Sequence, residues 1–301
     1  MSPSRERPPL HNRRVRAAWL FLLPALALLV GVAGYPLART VAFAFTDARL
    51  SDLDAAGWIG LSNFGFALTD PDWWRAVWNT VVFTLGSVSL QLVLGLAFAL
   101  VLDARFRGRG PLRAAVLVPW AIPTVVCAQM WRWMYHDVYG VINDLLLRLG
   151  LIERPVAWLA DDVTAMAAVI VTDVWKATPF MALLLLAGLQ TIPAELQEAA
   201  KVDGAGPVTR FRTITLPLLL PAIGIALIFR TLDALRVFDL IYVMTSNSRA
   251  TASISVYARQ QMIDFQDVGY GSAVSVMIFA IVGLFTVAYA AGLRPDRVVR
   301  R

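Results

Sequence analysis

Long uncharged runs alternate with short charged stretches along most of the chain. Crossing a bilayer core of about 30 Å takes roughly 20 predominantly apolar residues. The uncharged runs are 17–38, 76–102, 114–131, 177–194, 213–229 and 268–293. The fourth can extend back through 163–175, and the fifth can extend forward through 229–240, if the charges there are tolerated. The pattern predicts an all-α polytopic membrane protein with six transmembrane helices.

The first run is expected to be a retained span. It is longer than the apolar core of a signal peptide, and it continues into Tyr35-Pro36, where a signal peptide would have a small-residue cleavage site. We therefore divide the chain into a basic tail over 1–16, a six-helix domain over 17–293 and a basic tail over 294–301.

Composition agrees with a membrane protein, and the charge distribution sets its orientation. Of the 301 residues, 58% are hydrophobic and 16% are charged, whereas soluble domains average about 25% charged residues. Basic residues cluster before the first span, between the second and third, between the fourth and fifth, and after the sixth. The other loops are richer in aspartate. By the positive-inside rule both termini are cytoplasmic, and this topology explains the net charge of +6 without a nucleic-acid partner.

Few residues suit catalysis or metal binding. His11 and His136 lack the spacing of metal ligands, and Cys127 has no partner for an internal disulfide. Neither Lys176 nor Lys201 follows the glycine-rich turn of a phosphate-binding loop, and no nucleophile elbow or zinc-protease motif occurs. We expect a chain that has no metal or cofactor of its own, is not an enzyme and does not hydrolyse a nucleotide by itself.

The loop between the fourth and fifth spans, about 191–215, is predicted to contain a short polar helix. Pro193 suits the first turn of this helix, and Gly204 suits a left-handed position just past its end. One side of this helix is expected to carry the small and apolar residues Leu196, Ala199 and Ala200. The more exposed side is expected to carry the charged residues Glu195, Glu198 and Lys201. The residues leave two interpretations open, a connector on the membrane surface and a helix presented to a cytoplasmic partner.

Four charges recur at every third position in the extended fifth span. They are Arg230, Asp233, Arg236 and Asp239. Charges within a span cost about 2.5–3.5 kcal/mol each on insertion scales, and they usually face a cavity or one another. Because residues three apart on a helix are neighbours, the four are predicted to form an alternating ladder that winds around half of one helix.

The fourth span carries a complementary pair, Asp173 and Lys176. At about 1.5 Å per residue, Lys176 and Arg230 each lie roughly 21 Å from the cytoplasmic ends of their helices, so the two sets share one level. The sequence predicts a polar cavity in which a hydroxyl-rich solute exchanges water for hydrogen bonds, with Trp175 and Phe180 offering apolar contact. Ion pairs that only hold the helices together are the alternative.

A longer pattern in the cytoplasmic loop carries a family resemblance. Glu198-Ala199-Ala200 is followed by Gly204, Ile214 and Leu216-Pro217 at fixed spacing, and Asp203-Gly204-Ala205 stands at its centre. This pattern resembles the EAA signature of permease subunits in binding-protein-dependent ABC importers. The stretches DVWKATPFMALLLLAGLQTIP and FRTLDALRVFDLIYVMT are most similar to members that handle trehalose, maltose and related α-glucosides.

The resemblance implies a type I ABC importer permease fold and a set of partners. The chain would move a sugar, such as the disaccharides trehalose or maltose, across the cytoplasmic membrane of a bacterium or archaeon. Its implied partners are a second homologous permease, two ATPase subunits that bind ATP and Mg²⁺, and an extracytoplasmic sugar-binding protein. Coupling to the ATPase is implied for Glu198, Ala199, Ala200, Asp203 and Gly204.

An ungapped comparison with the maltose permease implies sugar contacts on both helices that flank the loop. These contacts fall at Asp173, Lys176, Ala177 and Phe180, and at Arg230, Ala234 and Val237. The maltose permease has small neutral or amide residues at the positions of Lys176, Arg230, Ala234 and Val237. The charge argument alone assigns Asp233, Arg236 and Asp239 to the substrate path.

Other functions remain open at this stage. An ion-coupled secondary transporter would use the ladder of charges as a proton relay, and the same importer class could serve another solute such as a glycerophosphate. A requirement for an ATPase in proteoliposomes would separate the secondary transporter from the importer.

Overall fold

The computed structural model describes residues 10–104 and 106–292, and this part of the chain is mostly helical. The helices are α1 (Leu10–Leu29), α2 (Tyr35–Phe43), α3 (Ser62–Thr69), α4 (Pro71–Asp103), α5 (Arg109–Ala121), α6 (Thr124–Met134), α7 (Val141–Arg148), α8 (Asp162–Leu189), α9 (Ala194–Val202), α10 (Pro207–Arg210), α11 (Leu216–Leu235), α12 (Asp239–Thr245), α13 (Ile254–Arg259) and α14 (Val268–Gly292). Short π-helical segments occupy Val30–Gly34, Phe211–Thr215 and Gln260–Asp264. Within the described ranges β-structure is limited to isolated bridges, and the all-α class is confirmed.

The two basic tails fall largely outside the described residues. Residues 1–9 and 293–301 are not described, and neither is Arg105 in the basic loop after the second span. Helix α1 begins at Leu10, inside the predicted N-terminal tail. The first span is therefore helical before its uncharged run begins.

Five helical segments are long and apolar enough to cross a membrane. They are Val15–Phe43, Pro71–Asp103, Asp162–Leu189, Pro207–Leu235 and Val268–Tyr289. The third predicted span is instead divided into α5 and α6, which meet at an angle of 90°. Six spans result when this bent pair counts as one.

The break in the third span has a local cause that an uncharged run does not reveal. Ile122 precedes Pro123, and the ring of a proline disfavours helical geometry in the residue before it. Ile122 accordingly has extended backbone angles, with φ −71° and ψ 131°. The third predicted span is therefore present as two helices joined at a bend, which the uncharged run over 114–131 did not indicate.

Glycines bring the central helices α4, α8 and α11 close together. A Cβ atom on Gly95 of α4 would lie 2.6 Å from the Cγ of Met181 on α8. A Cβ on Gly188 of α8 would lie 2.4 Å from the Cβ of Ala222 on α11. Small residues permit such close approach between transmembrane helices, so these two glycines allow α4 to pack on α8 and α8 on α11.

The charged segment 229–240 does not form one helix. Helix α11 ends at Leu235, and α12 begins only at Asp239. Between them the carbonyl of Val237 accepts a hydrogen bond of 2.6 Å from Ser253 Oγ, and Ser253 Oγ in turn accepts from the amide of Val256 in α13. This distant contact takes the place of a helical bond, so the predicted continuous ladder of four charges was wrong.

Candidate functional site

A polar cavity of about 290 Å³ lies between the α5–α6 break, α8, α11 and the start of α12. Seven residues that the sequence assigns to the substrate path line it: Asp173, Lys176, Ala177, Arg230, Asp233, Arg236 and Asp239. Ala234 and Val237 line it as well. The segments 173–177 and 230–239, which lie more than fifty residues apart in the chain, therefore meet at one site.

The aromatic wall differs from the sequence expectation. Trp175 packs edge-on against Trp131, with ring centroids 5.6 Å apart, and is not among the residues that line the cavity. Phe180 does not line the cavity either; its ring stacks on that of Trp120, with centroids 5.7 Å apart. Trp120, which the sequence did not single out, contributes the indole that lines the cavity together with Phe83 and Phe238.

Asp173 and Arg230 form an ion pair between α8 and α11. Arg230 Nη2 lies 3.1 Å from Asp173 Oδ2, and both side chains are buried. The depth argument, which placed the two helices' charges at one level, is confirmed for this pair. A buried charge is tolerated when it is paired and its remaining hydrogen-bonding groups are satisfied.

Gln91 of α4 completes this pair, and sequence reasoning missed it. Its Nε2 donates to Asp173 Oδ2 at 2.7 Å, while its Oε1 accepts from Arg230 Nε at 2.8 Å. The side chain is fully buried. An amide supplies both a donor and an acceptor, so Gln91 can bond the acid and the base at once. Its signal in the sequence was a glutamine, with a large polar side chain, within an uncharged span.

Arg230 also meets a second carboxylate. Its Nη1 donates to Asp233, three residues further along α11. The Arg230 side chain is 5% exposed, whereas the Asp233 side chain is 70% exposed. One guanidinium therefore serves a buried acid on α8 and an acid that is open to the cavity.

Lys176 is held at the break in the third span. Its Nζ donates to the carbonyl of Ile122 at 2.8 Å. The last carbonyl groups of a helix have no partner within the helix, and the ammonium group supplies one just beyond the end of α5. Lys176 thus lines the cavity and also stabilises the bend between α5 and α6.

Arg236 and Asp239 occupy the interruption between α11 and α12. Arg236 Nε donates to the carbonyl of Leu232 at 3.2 Å, and both Arg236 and Asp239 are exposed. Among the ion pairs of the described residues, none contains either side chain. The Asp/Arg series is therefore broken after Asp233.

The short helix predicted in the loop is α9, and its end has the expected geometry. Gly204 is left-handed with φ +79°. Its amide donates to the carbonyl of Lys201 at 3.1 Å, and the amide of Ala205 donates to the carbonyl of Ala200 at 2.8 Å. These two bonds form a Schellman motif. The prediction of a left-handed glycine just past the helix is confirmed.

Helix α9 contacts the rest of the chain through a polar side chain that the sequence did not single out. Gln197 Nε2 donates to Thr215 Oγ1 at 3.0 Å, and Ala200 is half-buried, but Leu196 and Ala199 are exposed. Leu196 and Ala200, four residues apart, lie on one side of α9 as predicted, and the charged positions Glu198 and Lys201 are exposed. A polar contact, and not the packing of the apolar positions, orients this helix. Glu198, Ala199 and Asp203 lie exposed at the surface of the chain.

A second polar cluster lies away from the cavity. Asp70 caps the start of α4 by accepting from the amide of Asp72 at 2.8 Å, and its carboxylate also accepts from the hydroxyls of Tyr257 and Tyr270. Burial, and then the bond to Asp70, raise the pKa of Tyr257 well above its ordinary value. The tyrosine stays protonated as a donor, so the cluster joins α13 and α14 to the start of α4.

Residues 91–300 match the family described as "Binding-protein-dependent transport system inner membrane component". The chain is 44% identical over 282 residues to the trehalose/maltose transport system permease protein MalF of Thermococcus litoralis, covering 93% of this chain and 94% of that protein. It is 43% identical over 274 residues to the sulfoquinovosyl glycerol transport system permease protein SmoG of Agrobacterium fabrum, covering 90% and 88%. It is 39% identical over 269 residues to the trehalose transport system permease protein SugA of Mycobacterium tuberculosis, covering 89% and 86%.

Solved structures agree with the fold. A chain of a bacterial alginate ABC transporter, crystallised with its alginate pentasaccharide-bound periplasmic protein, superposes with a TM-score of 0.83 at 22% identity. The likeness covers 97% of this chain and 98% of the other. At this identity it supports the helical arrangement.

Proposed function

Since the chain belongs to the family of binding-protein-dependent transport system inner membrane components, we propose that it is a permease subunit of an ABC importer for a disaccharide such as trehalose or maltose. The observation that carries this proposal is the 44% identity, over 93% of the chain, to a permease named for trehalose and maltose. The polar cavity supports it independently. Charged walls accept hydroxyl groups in hydrogen bonds stronger than those between neutral partners, and the Trp120 indole offers an apolar surface to a sugar ring.

The cavity is suited to be one half of a transport path. Its 290 Å³ is close to the lower limit of about 300–1,000 Å³ for small-molecule sites. A second, homologous permease completes the enclosure around the sugar. The sugar contacts on this chain are the charged and small residues that line the cavity, namely Asp173, Lys176, Ala177, Arg230, Asp233, Arg236 and Asp239. Phe180 acts indirectly, by stacking on the Trp120 indole that lines the cavity.

Helix α9 couples this path to ATP hydrolysis in a partner. The exposed residues Glu198, Ala199 and Asp203 contact an ATPase subunit, and the turn from Ala200 to Gly204 fixes the end of the helix. Helix α9 lies between α8 and α11 in the chain, and the Asp173–Arg230 pair joins these two helices at the cavity. A displacement of α9 by the ATPase therefore moves both walls of the cavity together.

The proposed assembly contains this chain, a second permease, two ATPase subunits that bind ATP and Mg²⁺, and an extracytoplasmic sugar-binding protein. It lies in the cytoplasmic membrane of a bacterium or archaeon, with both termini of this chain in the cytoplasm. Basic residues support this orientation, because four arginines lie between the second and third spans, and Lys201, Arg210 and Arg212 lie in the loop that contains α9.

Reconstitution tests the proposal. Proteoliposomes with the full assembly are expected to take up labelled trehalose or maltose only with ATP on the ATPase side and with the binding protein on the other. A protonophore is expected to leave uptake unchanged. Gradient-driven uptake by the permease without the ATPase would contradict the importer and favour an ion-coupled transporter.

A further inference from the structure

The charges that line the cavity are balanced in number. Three acids and three bases contribute to its wall, namely Asp173, Asp233 and Asp239, and Lys176, Arg230 and Arg236. A site whose formal charges cancel has little long-range attraction for an ion of either sign. Its preference for neutral or charged solutes therefore depends on where each charge lies and what it contacts.

Arg230 is the base whose attraction for an anion would be strongest. It is buried, and electrostatic interactions are larger in surroundings of low dielectric than in water. Arg236, by contrast, is exposed, so solvent screens its charge. Lys176 donates to the carbonyl of Ile122 at the helix break.

Every nitrogen of Arg230 is already used inside the protein. Nε donates to Gln91, Nη2 to Asp173 and Nη1 to Asp233. The bonds to Gln91 and Asp173 lie in the buried interface of the three helices. Asp233 is different, because its side chain is 70% exposed and it holds the guanidinium nitrogen on the side of the open cavity.

We propose that Asp233 is a selectivity residue that occupies Arg230 and keeps the cavity neutral, so that uncharged sugars are accepted and anionic sugars are rejected. This inference rests on the proposed function and narrows its substrate class. An acidic sugar brings a carboxylate, sulfonate or phosphate against the Asp233 carboxylate, and like charges in contact oppose binding. A neutral sugar donates hydroxyl hydrogen bonds to the same carboxylate.

Asp233→Asn isolates the charge. The amide oxygen still accepts a bond from Arg230, while the wall acquires a net charge of +1. A unit charge at about 6 Å, with an effective dielectric constant of about 20, alters binding by on the order of a hundredfold. Because Asp233 is largely exposed, solvent screening reduces the expected change to about tenfold.

The test uses the assembled transporter in nanodiscs without the binding protein, whose own selectivity would otherwise enter the result. The affinity of each competitor is measured from its displacement of a tritium-labelled sugar. Labelled trehalose is displaced by unlabelled trehalose or by trehalose 6-phosphate. In a parallel experiment, labelled maltose is displaced by unlabelled maltose or by maltose phosphate. The affinity for the phosphorylated sugar, relative to the neutral one, is expected to rise about tenfold in Asp233→Asn. It is expected to stay within about threefold of wild type in Asp233→Glu, which keeps the charge.

Asp144→Asn is the matched control, because Asp144 pairs with Arg148 at 3.0 Å on α7, outside the cavity. The measured quantity is the ratio of the affinity for the phosphorylated sugar to the affinity for the neutral sugar. If this ratio is the same in Asp233→Asn as in Asp144→Asn, Asp233 has no selectivity role, and the importer proposal is unaffected. Absence of specific binding of either neutral sugar to the wild-type assembly would instead refute the proposed sugar site.

Discussion

Replacing Arg230 by methionine is expected to destabilise the helix bundle more than the loss of a surface ion pair would. The substitution keeps a long side chain but removes the bonds to Gln91, Asp173 and Asp233. Water can solvate the exposed Asp233. It cannot readily reach Gln91 or Asp173, which are buried between α4, α8 and α11.

The size of the effect follows from these contacts. Breaking a buried ion pair by removing one partner costs about 3–5 kcal/mol, whereas hydrogen bonds between transmembrane helices average only about 0.6 kcal/mol. Gln91 still donates to Asp173 at 2.7 Å, which offsets part of the loss, so we expect about 3 kcal/mol for Arg230→Met. Adding Asp173→Asn removes the unpaired charge, and we expect a coupling energy of about 2 kcal/mol between the two positions.

The measurement is the free energy of unfolding in mixed micelles with increasing sodium dodecyl sulfate, followed by tryptophan fluorescence, for wild type, both single variants and the double variant. A second cycle at Arg148 and Asp144 serves as the control. This pair is as close, at 3.0 Å, but its side chains are 76% and 57% exposed. Exposed ion pairs between residues four apart on a helix, such as this one, contribute about 0.3–0.5 kcal/mol. A coupling energy between Arg230 and Asp173 no larger than the control would show that the buried pair does not join α8 to α11.

Three further outcomes test other parts of the molecule. Gly188→Val is expected to lower the free energy of unfolding by about 1–3 kcal/mol, because the new Cβ would overlap the facing alanine of α11. Gly31→Ala is expected to leave this free energy unchanged, because the space around Gly31 is open. Ala199→Trp is expected to abolish sugar-stimulated ATP hydrolysis and ATPase retention by the purified permease, and an unchanged stimulation would argue against coupling through α9. With the native cysteine replaced, a cysteine at Asp54 should react with impermeant maleimide from outside cells and one at Glu195 only from inside; the opposite result would reverse the topology.

The spans and the level of the buried charges could be predicted because both depend on local quantities. Hydrophobic length is set by the thickness of the bilayer, and depth along a helix follows from its rise per residue. These two quantities were sufficient to bring Asp173 and Arg230 together across 57 positions of sequence. The left-handed Gly204 followed from the local requirements of a helix end in the same way.

The remaining features depend on contacts that no local pattern contains. Ser253 ends the regular structure after α11 by bonding to the carbonyl of Val237, sixteen residues earlier. Gln91 contacts the charged pair because α4 packs against α8, and the sequence pattern does not show which helices pack together. The orientation of α9 was set by Gln197 and Thr215, not by its apolar residues. Each depends on which helices become neighbours, and hydrophobic periodicity does not carry that information.

The three residues of the buried network, Gln91, Asp173 and Arg230, are synthesised at different times, so the network is completed late in biosynthesis. Its members leave the ribosome as amide, then acid, then base, and 57 residues separate the acid from the base. At about 5–20 residues per second, Asp173 waits roughly 3–11 s for its counter-ion. During that interval Gln91, already synthesised, is the one member of the network that can bond to it. A nascent chain that stops before α11 therefore holds the Asp173 carboxylate within a span without its counter-ion, so the last part of the helix bundle to be made is the part that neutralises it.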